Sequence, residues 1–107
     1  MIRRKIPKML NRKQRAKLKS IASAENAIFQ IGKGGVGEAA VKSIYDALEA
    51  RELVKISVLD NSDADPREAA EQIAELTSSE VVTVIGRKII LFKVASKPEK
   101  RSVSALI

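Results

Sequence analysis

The 107-residue sequence contains no cysteine, no histidine and no tryptophan, and it has only one tyrosine and two phenylalanines. Without cysteine and histidine, disulfides, Cys/His zinc sites and Ser-His-Asp triads are excluded. No apolar run approaches the ~20 residues of a membrane-spanning helix, and the basic N-terminus is not followed by the apolar segment of an export signal. These absences favour a protein of the reducing cytoplasm with no membrane partner and without zinc sites or catalysis based on cysteine or histidine. Together with the motifs below, we expect no metal, no cofactor and no catalytic activity.

The positive charge is concentrated at one end of the chain. The sequence has 20 lysines and arginines against 13 acidic residues, with a net charge of +7 and an isoelectric point near 9.9. Residues 1–20 hold nine of these cations and no acid, so the other 87 residues carry 11 cations and 13 acids, a net charge of −2. An excess localised in this way predicts a surface that binds a polyanion.

Most of the cationic segment is predicted to be helical. Asn11 is a suitable N-cap, and the helix is expected to run to about Ser23. Its packing side is formed by Leu10, Gln14, Leu18, Ile21 and Ala22, and its other sides carry Arg12, Lys13, Arg15, Lys17 and Lys19. Like charges at helical spacing repel one another. Five cations without an acid therefore indicate a binding surface rather than an ordinary solvated face.

A glycine-rich turn lies between a predicted strand at 27–31 and a predicted helix at 38–50. It comprises Ile31-Gly32-Lys33-Gly34-Gly35-Val36-Gly37. Because glycine has no side chain to hold a ligand away, the backbone of this turn can approach a bulky anion, and the lysine adds a mobile charge. The anion is either the phosphate of a nucleotide cofactor or the backbone phosphate of a nucleic acid.

The remaining sequence predicts an α/β fold with a four-stranded mixed sheet. Helix 38–50 is expected to bury Val41, Ile44, Tyr45 and Leu48, and a strand follows at 53–59. The next helix is capped by Asp65, runs to about Thr77 and is expected to bury Ala69, Ala70, Ile73 and Leu76. Strands at 80–85 and 88–93 form a hairpin through Gly86-Arg87. The order helix-strand-helix-strand-helix-strand-strand gives a single compact domain at 9–95, with a basic flexible arm at 1–8 and a flexible tail at 96–107.

The glycine turn also matches the dinucleotide-binding fingerprint. Gly32, Gly34 and Gly37 have the G-x-G-x-x-G spacing, and the next strand ends at Asp60. Against this interpretation, the chain has half the strands of a doubly wound fold, no residue for hydride chemistry and no Walker Lys-Ser/Thr pair. A small nucleotide-binding regulatory module is nevertheless one alternative. A DNA-binding protein is the other, because selectivity for the 2′-hydroxyl leaves no signature in the composition.

Four sequence blocks together resemble the CRM domain, the chloroplast RNA splicing and ribosome maturation domain, and its stand-alone bacterial YhbY-like form. The blocks are Leu10–Arg15, Ile31–Val36, Leu53–Ile56 and Val84–Arg87, and the resemblance covers residues from about Met9 to Lys93. It implies an RNA-binding domain with a fold similar to the C-terminal domain of translation initiation factor three. It further implies association with precursors of the large ribosomal subunit.

The residues that match these blocks, together with neighbouring cations, predict the binding site. Read as G-x-x-G, Gly32-Lys33-Gly34-Gly35 resembles the loop with which KH domains clamp a nucleic-acid backbone. We expect Lys33 and the bare amides of Gly34 and Gly35 to bind phosphate, with Arg12, Lys13, Arg15 and Lys19 extending the surface and Arg87 and Lys88 at its border. Since the three aromatic residues fall in apolar patterns, backbone and shape recognition is favoured over base stacking. The expected partner is structured RNA, in particular ribosomal RNA, bound by a monomer that has no small-molecule substrate.

Overall fold

Three helices and four strands follow one another in the predicted order. The computed structural model describes residues 10–60, 62 and 64–107 and contains α1 (Arg12–Ser23), β1 (Phe29–Ile31), α2 (Glu38–Arg51), β2 (Leu53–Val58), α3 (Pro66–Thr77), β3 (Glu80–Ile85) and β4 (Lys88–Phe92). Two short 3₁₀ turns follow, at Pro98–Lys100 and Ser104–Leu106. The predicted basic arm at 1–8 lies outside the described residues.

The four strands form one mixed sheet in the order β1-β2-β4-β3. Strands β1 and β2 are parallel, with Phe29 opposite Ile56, as expected for two strands joined by a helical crossover. Strand β4 is antiparallel to both of its neighbours, so that Ile89 lies opposite Ile56 on one side and Val84 on the other. The predicted α/β domain with a four-stranded mixed sheet is confirmed.

Helices cover both faces of this sheet, because the side chains of each strand alternate between the faces. The face that packs against α2 and α3 holds the larger core, which includes Val54, Ile56, Val58, Ile89 and Leu91. On the opposite face, Leu18 and Ala22 of α1 form a cluster with Leu53, Val82, Ile90 and Phe92. The sheet therefore separates α1 from α2 and α3.

The glycine-containing connections lie together at one end of the sheet, which we call the loop end. Strands β1 and β2 are parallel, so the chain leaves both at this end. The β3–β4 turn is also there, since Lys88 lies opposite Ser57 near the end of β2. At the other end, Leu53 and Glu80 both lie opposite Phe92, the last residue of β4. The chain after β4 therefore starts away from the glycine turn.

Two residues that were predicted to be buried are exposed. Leu76 of α3 is 57% exposed and Tyr45 of α2 is 39% exposed, whereas Ile44, Leu48 and Ile73 are at most 1% exposed. Helical spacing placed both residues on the core side, but a helix lying on a sheet buries a narrower stripe than its apolar pattern covers. The predictions for Leu76 and Tyr45 were wrong, and both side chains point outward between the two helices.

Residues 96–107 differ from the predicted flexible tail, because they are held by the buried side chain of Glu52. Its carboxylate accepts hydrogen bonds from the amides of Ala95, Val103 and Ser104 at 2.7, 3.0 and 2.7 Å. The hydroxyl of Ser104 donates a fourth, at 2.7 Å. Beyond this anchor, Val103 and Ile107 pack against the cluster under α1. The tail has no sequence period because it is held by specific hydrogen bonds and a few apolar contacts rather than by a repeating apolar face.

A second carboxylate, Glu49 of α2, holds the start of the tail. It contacts the ammonium group of Lys93 and accepts hydrogen bonds from the amide and hydroxyl of Ser96 at 2.8 and 2.9 Å. Burial opposes ionisation of Glu49, but the contacts with Lys93 and Ser96 outweigh it and lower the pKa from 4.5 to about 2. Burial also opposes ionisation of Glu52, whose pKa is nevertheless lowered by its hydrogen bonds from the tail.

The protein is expected to lose stability in acid because of these two carboxylates. A group with a lowered pKa in the folded state stabilises the fold fully above its ordinary pKa, here 4.5, and loses this contribution as it is protonated. The free energy of unfolding should therefore fall as the pH decreases from about 4.5 towards about 2. Urea unfolding at a series of pH values measures this decline. If the free energy of unfolding falls equally steeply with pH in a Glu49→Gln variant, Glu49 does not contribute to the decline.

Candidate nucleic-acid interface

The glycine turn is closed by a backbone hydrogen bond. The amide of Gly35 donates to the carbonyl of Gly32 at 3.0 Å, which places Lys33 and Gly34 at the two corners of a tight turn. Gly35 has a φ of +70°, in the left-handed region that glycine adopts more readily than other residues. The Lys33 side chain is exposed. The fold therefore presents this lysine to solvent at the loop end of the sheet.

Several backbone amides next to Lys33 are available to an anion. Helix α2 has Gly37 as its N-cap, and this residue has no side chain to accept from the amides of the first turn. Within the described part of the chain, no group accepts a hydrogen bond from the amide of Gly34. The amide of Gly35 is used inside the turn, so the prediction that it is bare was wrong. The amides of Gly34 and of the first turn of α2 remain available as donors.

Alanine at Gly35 is expected to lower the free energy of unfolding by about 1 kcal/mol, because an L-residue is strained at a positive φ. Gly34 is a matched control in the same turn. Its φ is not positive and nothing lies within 4 Å of the position of an added Cβ, so Gly34→Ala should change the stability by less than about 0.5 kcal/mol. Urea unfolding of the two variants measures the difference. Equal losses would mean that the φ of Gly35 does not determine the turn.

Helix α1 is fixed at both ends. Asn11 and Gln14 form a capping box, in which the side chain of each accepts from the backbone amide of the other at 2.7 and 3.1 Å. The predicted N-cap is thereby confirmed. At the C-terminal end, the ammonium group of Lys55 from β2 lies 3.4 and 3.3 Å from the carbonyl oxygens of Ala22 and Glu25. These contacts hold a helix with five cations and no acid across one face of the sheet.

Arg15, which was predicted to extend the binding surface, has partners inside the protein. Its Nη1 donates to the carbonyls of Val81 and Val82 at 2.8 and 2.6 Å, and its Nη2 lies 3.3 Å from a carboxylate oxygen of Glu80. All three partners belong to β3, an edge strand of the sheet. Arg15 therefore connects α1 to this edge and is partly neutralised there, while Arg12 and Lys19 are exposed.

The exposed cations of α1 lie on two sides of the helix. Lys13 and Lys17 line a depression together with the last two residues of the tail. At ~100° per residue, Arg12 and Lys19 lie on the side of the helix away from the tail. The structure thus separates Lys13 from the other predicted cations of this helix.

Arg87 connects two turns at the loop end. Its guanidinium donates to the carbonyls of Val58 and Leu59 at 2.9 and 2.7 Å, and its Nε lies 3.5 Å from a carboxylate oxygen of Asp60. These contacts hold the β3–β4 turn against the end of β2. The predicted border residue Arg87 is therefore positioned at the loop end, but much of its hydrogen-bonding capacity is already used.

Polar and cationic side chains occupy the sheet surface between α1 and the loop end. Lys88 donates to the hydroxyl of Ser57 at 3.1 Å, and strand alternation places Lys88 on the face that α1 covers. Lys55, at the C-terminal end of α1, lies on the same face of β2 as Ser57. The turn with Lys33 follows β1, the neighbour of β2. Lys55 and Lys88 thus lie on the sheet face that α1 covers, and Lys88 is near the loop end, where the glycine turn follows β1.

The topology does not provide the dinucleotide site that the glycine spacing suggested. In doubly wound folds the nucleotide binds where the strand order reverses between parallel strands. Here β1 is an edge strand with a single parallel neighbour, and Asp60, the acidic residue at the end of the next strand, pairs with Arg87. The part of the chain that the structure describes contains no cluster of three or more metal-ligating side chains. It also contains no helix long and apolar enough to cross a membrane.

Comparison with known proteins identifies the family. A family model of the CRS1/YhbY (CRM) domain matches residues 10–93. The chain belongs to the CRM domain family. The CRM domain thus extends from the residue before the α1 N-cap to the residue after β4, and the resemblance drawn from the four sequence blocks is confirmed.

Two relatives share this domain over most of their length. "Probable RNA-binding protein YqeI" of Bacillus subtilis (strain 168) is 45% identical over 93 residues, which cover 87% of this chain and 96% of that protein. The solution structure of the hypothetical protein SAV1595 from Staphylococcus aureus, for which RNA binding has been suggested, is similar with a TM-score of 0.71 and 46% identity. The similarity covers 84% of this chain and 94% of SAV1595. This chain and SAV1595 therefore share their overall fold.

Proposed function

We propose that this CRM-domain chain binds structured RNA in precursors of the large ribosomal subunit and assists their assembly without catalysing a reaction. The observation that carries the proposal is an exposed Lys33 in a glycine turn beside the uncapped N-terminus of α2. Family membership and the name of the B. subtilis relative support RNA as the partner. The ribosomal part rests on what the CRM resemblance implies.

The glycine turn binds phosphate in this proposal. The amides of Gly34 and of the first turn of α2 are held in place by the fold, so little ordering is required when an anion binds. Nothing lies within 4 Å of the position of a Cβ on Gly34, so a sugar-phosphate backbone has space next to the main chain. Lys33 adds a charge on a flexible stem that adapts to the path of the strand.

Helix α1 extends the contact in this proposal. Arg12 and Lys19 are separated by ~10 Å along the helix axis, so they contact different phosphates. The proposed surface offers no aromatic side chain for base stacking among the described residues. Phe92 is buried, Phe29 packs against the core, and Tyr45 lies on the α2–α3 side of the sheet. Recognition therefore depends on backbone and shape, which favours folded RNA over single strands.

Replacing Lys33 with alanine is expected to reduce the salt dependence of RNA binding. The loss of one phosphate contact lowers the slope of log K against log salt concentration by about 0.7 to 0.9. The fold should be unaffected, because the side chain is exposed. Filter binding of transcribed large-subunit ribosomal RNA at several salt concentrations gives the slope. The matched control is Lys97→Ala, an exposed lysine of the tail, and equal slopes for the two variants would remove Lys33 from the interface.

Binding of other ligands tests whether RNA is the partner of this chain. Stronger binding to duplex DNA than to folded RNA at equal salt concentration would overturn it, as would saturable dinucleotide binding in equilibrium dialysis. Cosedimentation with large-subunit precursors from a lysate tests the ribosomal part. We expect cosedimentation that is lost after ribonuclease treatment, and its absence in untreated lysate would contradict an assembly role.

A further inference from the structure

A groove of about 480 Å³ opens between α2 and α3, on the side of the sheet opposite α1. Its lining is mainly apolar and includes Val36, Val41, Tyr45 and Leu76. Two of the large apolar side chains that this chain exposes thus lie together in one depression. Apolar side chains that are exposed together mark interaction sites more often than isolated ones do.

Tyr45 is already held in position at this groove. The ammonium group of Lys93 lies 5.4 Å from the centre of its ring, a cation–π contact that restrains the side chain. Tyrosine is enriched among the residues that dominate protein interfaces, because it provides a large contact area with few rotatable bonds. The restrained ring therefore suits an anchor for a partner side chain.

The surroundings of the groove are acidic, although the whole chain is basic. Helices α2 and α3 together carry six acidic and three basic side chains. Three glutamates lie in or beside the lining of the groove. Glu38 is a lining residue. On α3, Glu68 lies one turn before Gln72 and Glu75 precedes Leu76, and both Gln72 and Leu76 line the groove. Among the residues that the structure describes, no salt bridge involves Glu38, Glu68 or Glu75.

The basic residue in the groove does not cancel this charge. Lys42 also lines the depression, but it pairs with Asp46 at 3.2 Å. The acidic rim therefore faces solvent around an apolar floor. This combination is complementary to a basic segment and repels a polyanion.

We propose that the groove docks a basic protein segment that carries aliphatic side chains. The aliphatic groups fill the space between Tyr45 and Leu76, and flanking lysines or arginines pair with the acidic rim. The sheet lies between this groove and α1, so a segment in the groove leaves α1 free for RNA. Among the described residues, the two proposed sites adjoin only at Val36, Gly37 and Glu38, which line the groove at the N-terminus of α2. The docking site does not depend on the proposed RNA function and is tested separately from it.

Selection from a random dodecapeptide library displayed on phage tests the site without a known partner. We expect enriched peptides with lysine or arginine next to leucine, isoleucine or valine. Synthetic copies should bind the full chain, and Leu76→Ser or Glu38→Lys should each weaken binding by about tenfold or more. The matched control is Ile85→Ser at the end of β3, since Ile85 is 59% exposed, and this variant should bind the peptides like the original chain.

Several results would overturn the proposal. These are the absence of enriched peptides, enriched peptides without basic residues, and equal binding by the Leu76→Ser and Ile85→Ser variants. A dimer in analytical ultracentrifugation that Leu76→Ser dissociates would instead assign the groove to a second copy of this chain. The RNA affinity of the Leu76→Ser variant distinguishes peptide docking from RNA binding. It should be unchanged, and a loss of RNA binding in this variant would mean that the groove is part of the RNA surface.

Discussion

Replacing Glu52 with alanine is expected to lower the free energy of unfolding by about 3 kcal/mol, because the variant removes the acceptor of four hydrogen bonds. The carboxylate is fully buried and binds Ala95, Val103 and Ser104. An unpaired buried donor destabilises a fold by about 1 to 3 kcal/mol, and water that enters the vacated space offsets part of this loss. Glu52 has a φ of 68°, but alanine is similarly strained there, so the backbone does not change the comparison.

Urea unfolding measures the stability of this variant, and limited trypsin digestion detects release of the tail at Lys100 and Arg101. The matched control is Glu99→Ala, because Glu99 is an exposed glutamate of the tail, and its effect should be below about 0.5 kcal/mol. The cleavage at Lys100 and Arg101 should be faster in the Glu52 variant than in the control. A loss of less than about 1 kcal/mol together with unchanged digestion would show that Glu52 does not anchor the tail.

Removing three cations of the proposed interface together is expected to weaken RNA binding by about a hundredfold, if each lost phosphate contact contributes roughly 1 kcal/mol. The variant is Arg12→Ala, Lys19→Ala and Lys33→Ala combined. All three side chains are exposed, so the fold should be retained. The slope of log K against log salt concentration should fall by about 2 to 3, because three contacts are lost.

A second triple variant separates this effect from the change in net charge. Lys42, Lys97 and Lys100 are exposed lysines on α2 and on the tail, and replacing them with alanine removes the same charge. We expect this control to bind RNA within about threefold of the original chain, because no phosphate contact is lost. Similar losses in the two triple variants would mean that binding follows net charge and that α1 and the glycine turn form no specific surface.

The local elements were predictable because their signals lie close together in the sequence. Asn11 and Asp65 were identified as N-caps from the residues that follow them, and both side chains accept from the expected amides. The strand and hairpin positions follow from alternating apolar residues and the Gly86-Arg87 turn. The crossovers and the hairpin then predicted a mixed sheet, but its strand order, β1-β2-β4-β3, was not predicted.

The predictions that were wrong or incomplete depend on contacts between distant residues. Helical spacing shows which side of α1 carries Arg15, but it does not show that the edge of β3 lies within reach of the guanidinium. The amide of Gly35 is an exception, because its acceptor is the carbonyl of Gly32, only three residues earlier; this pairing depends on the geometry of the turn. Glu52 gives no sequence signal, because its partners follow it by 43 to 52 residues.

The proposed function depends on one RNA contacting both the glycine turn and α1. Titration of the ¹⁵N-labelled protein with a folded fragment of large-subunit ribosomal RNA, followed by amide chemical shifts, tests this directly. We expect the signals of Gly34 and Glu38 to shift with those of Arg12 and Lys19 along one binding curve, while Leu76 is unaffected. Shifts confined to α1, or separate curves for the two regions, would contradict a common surface.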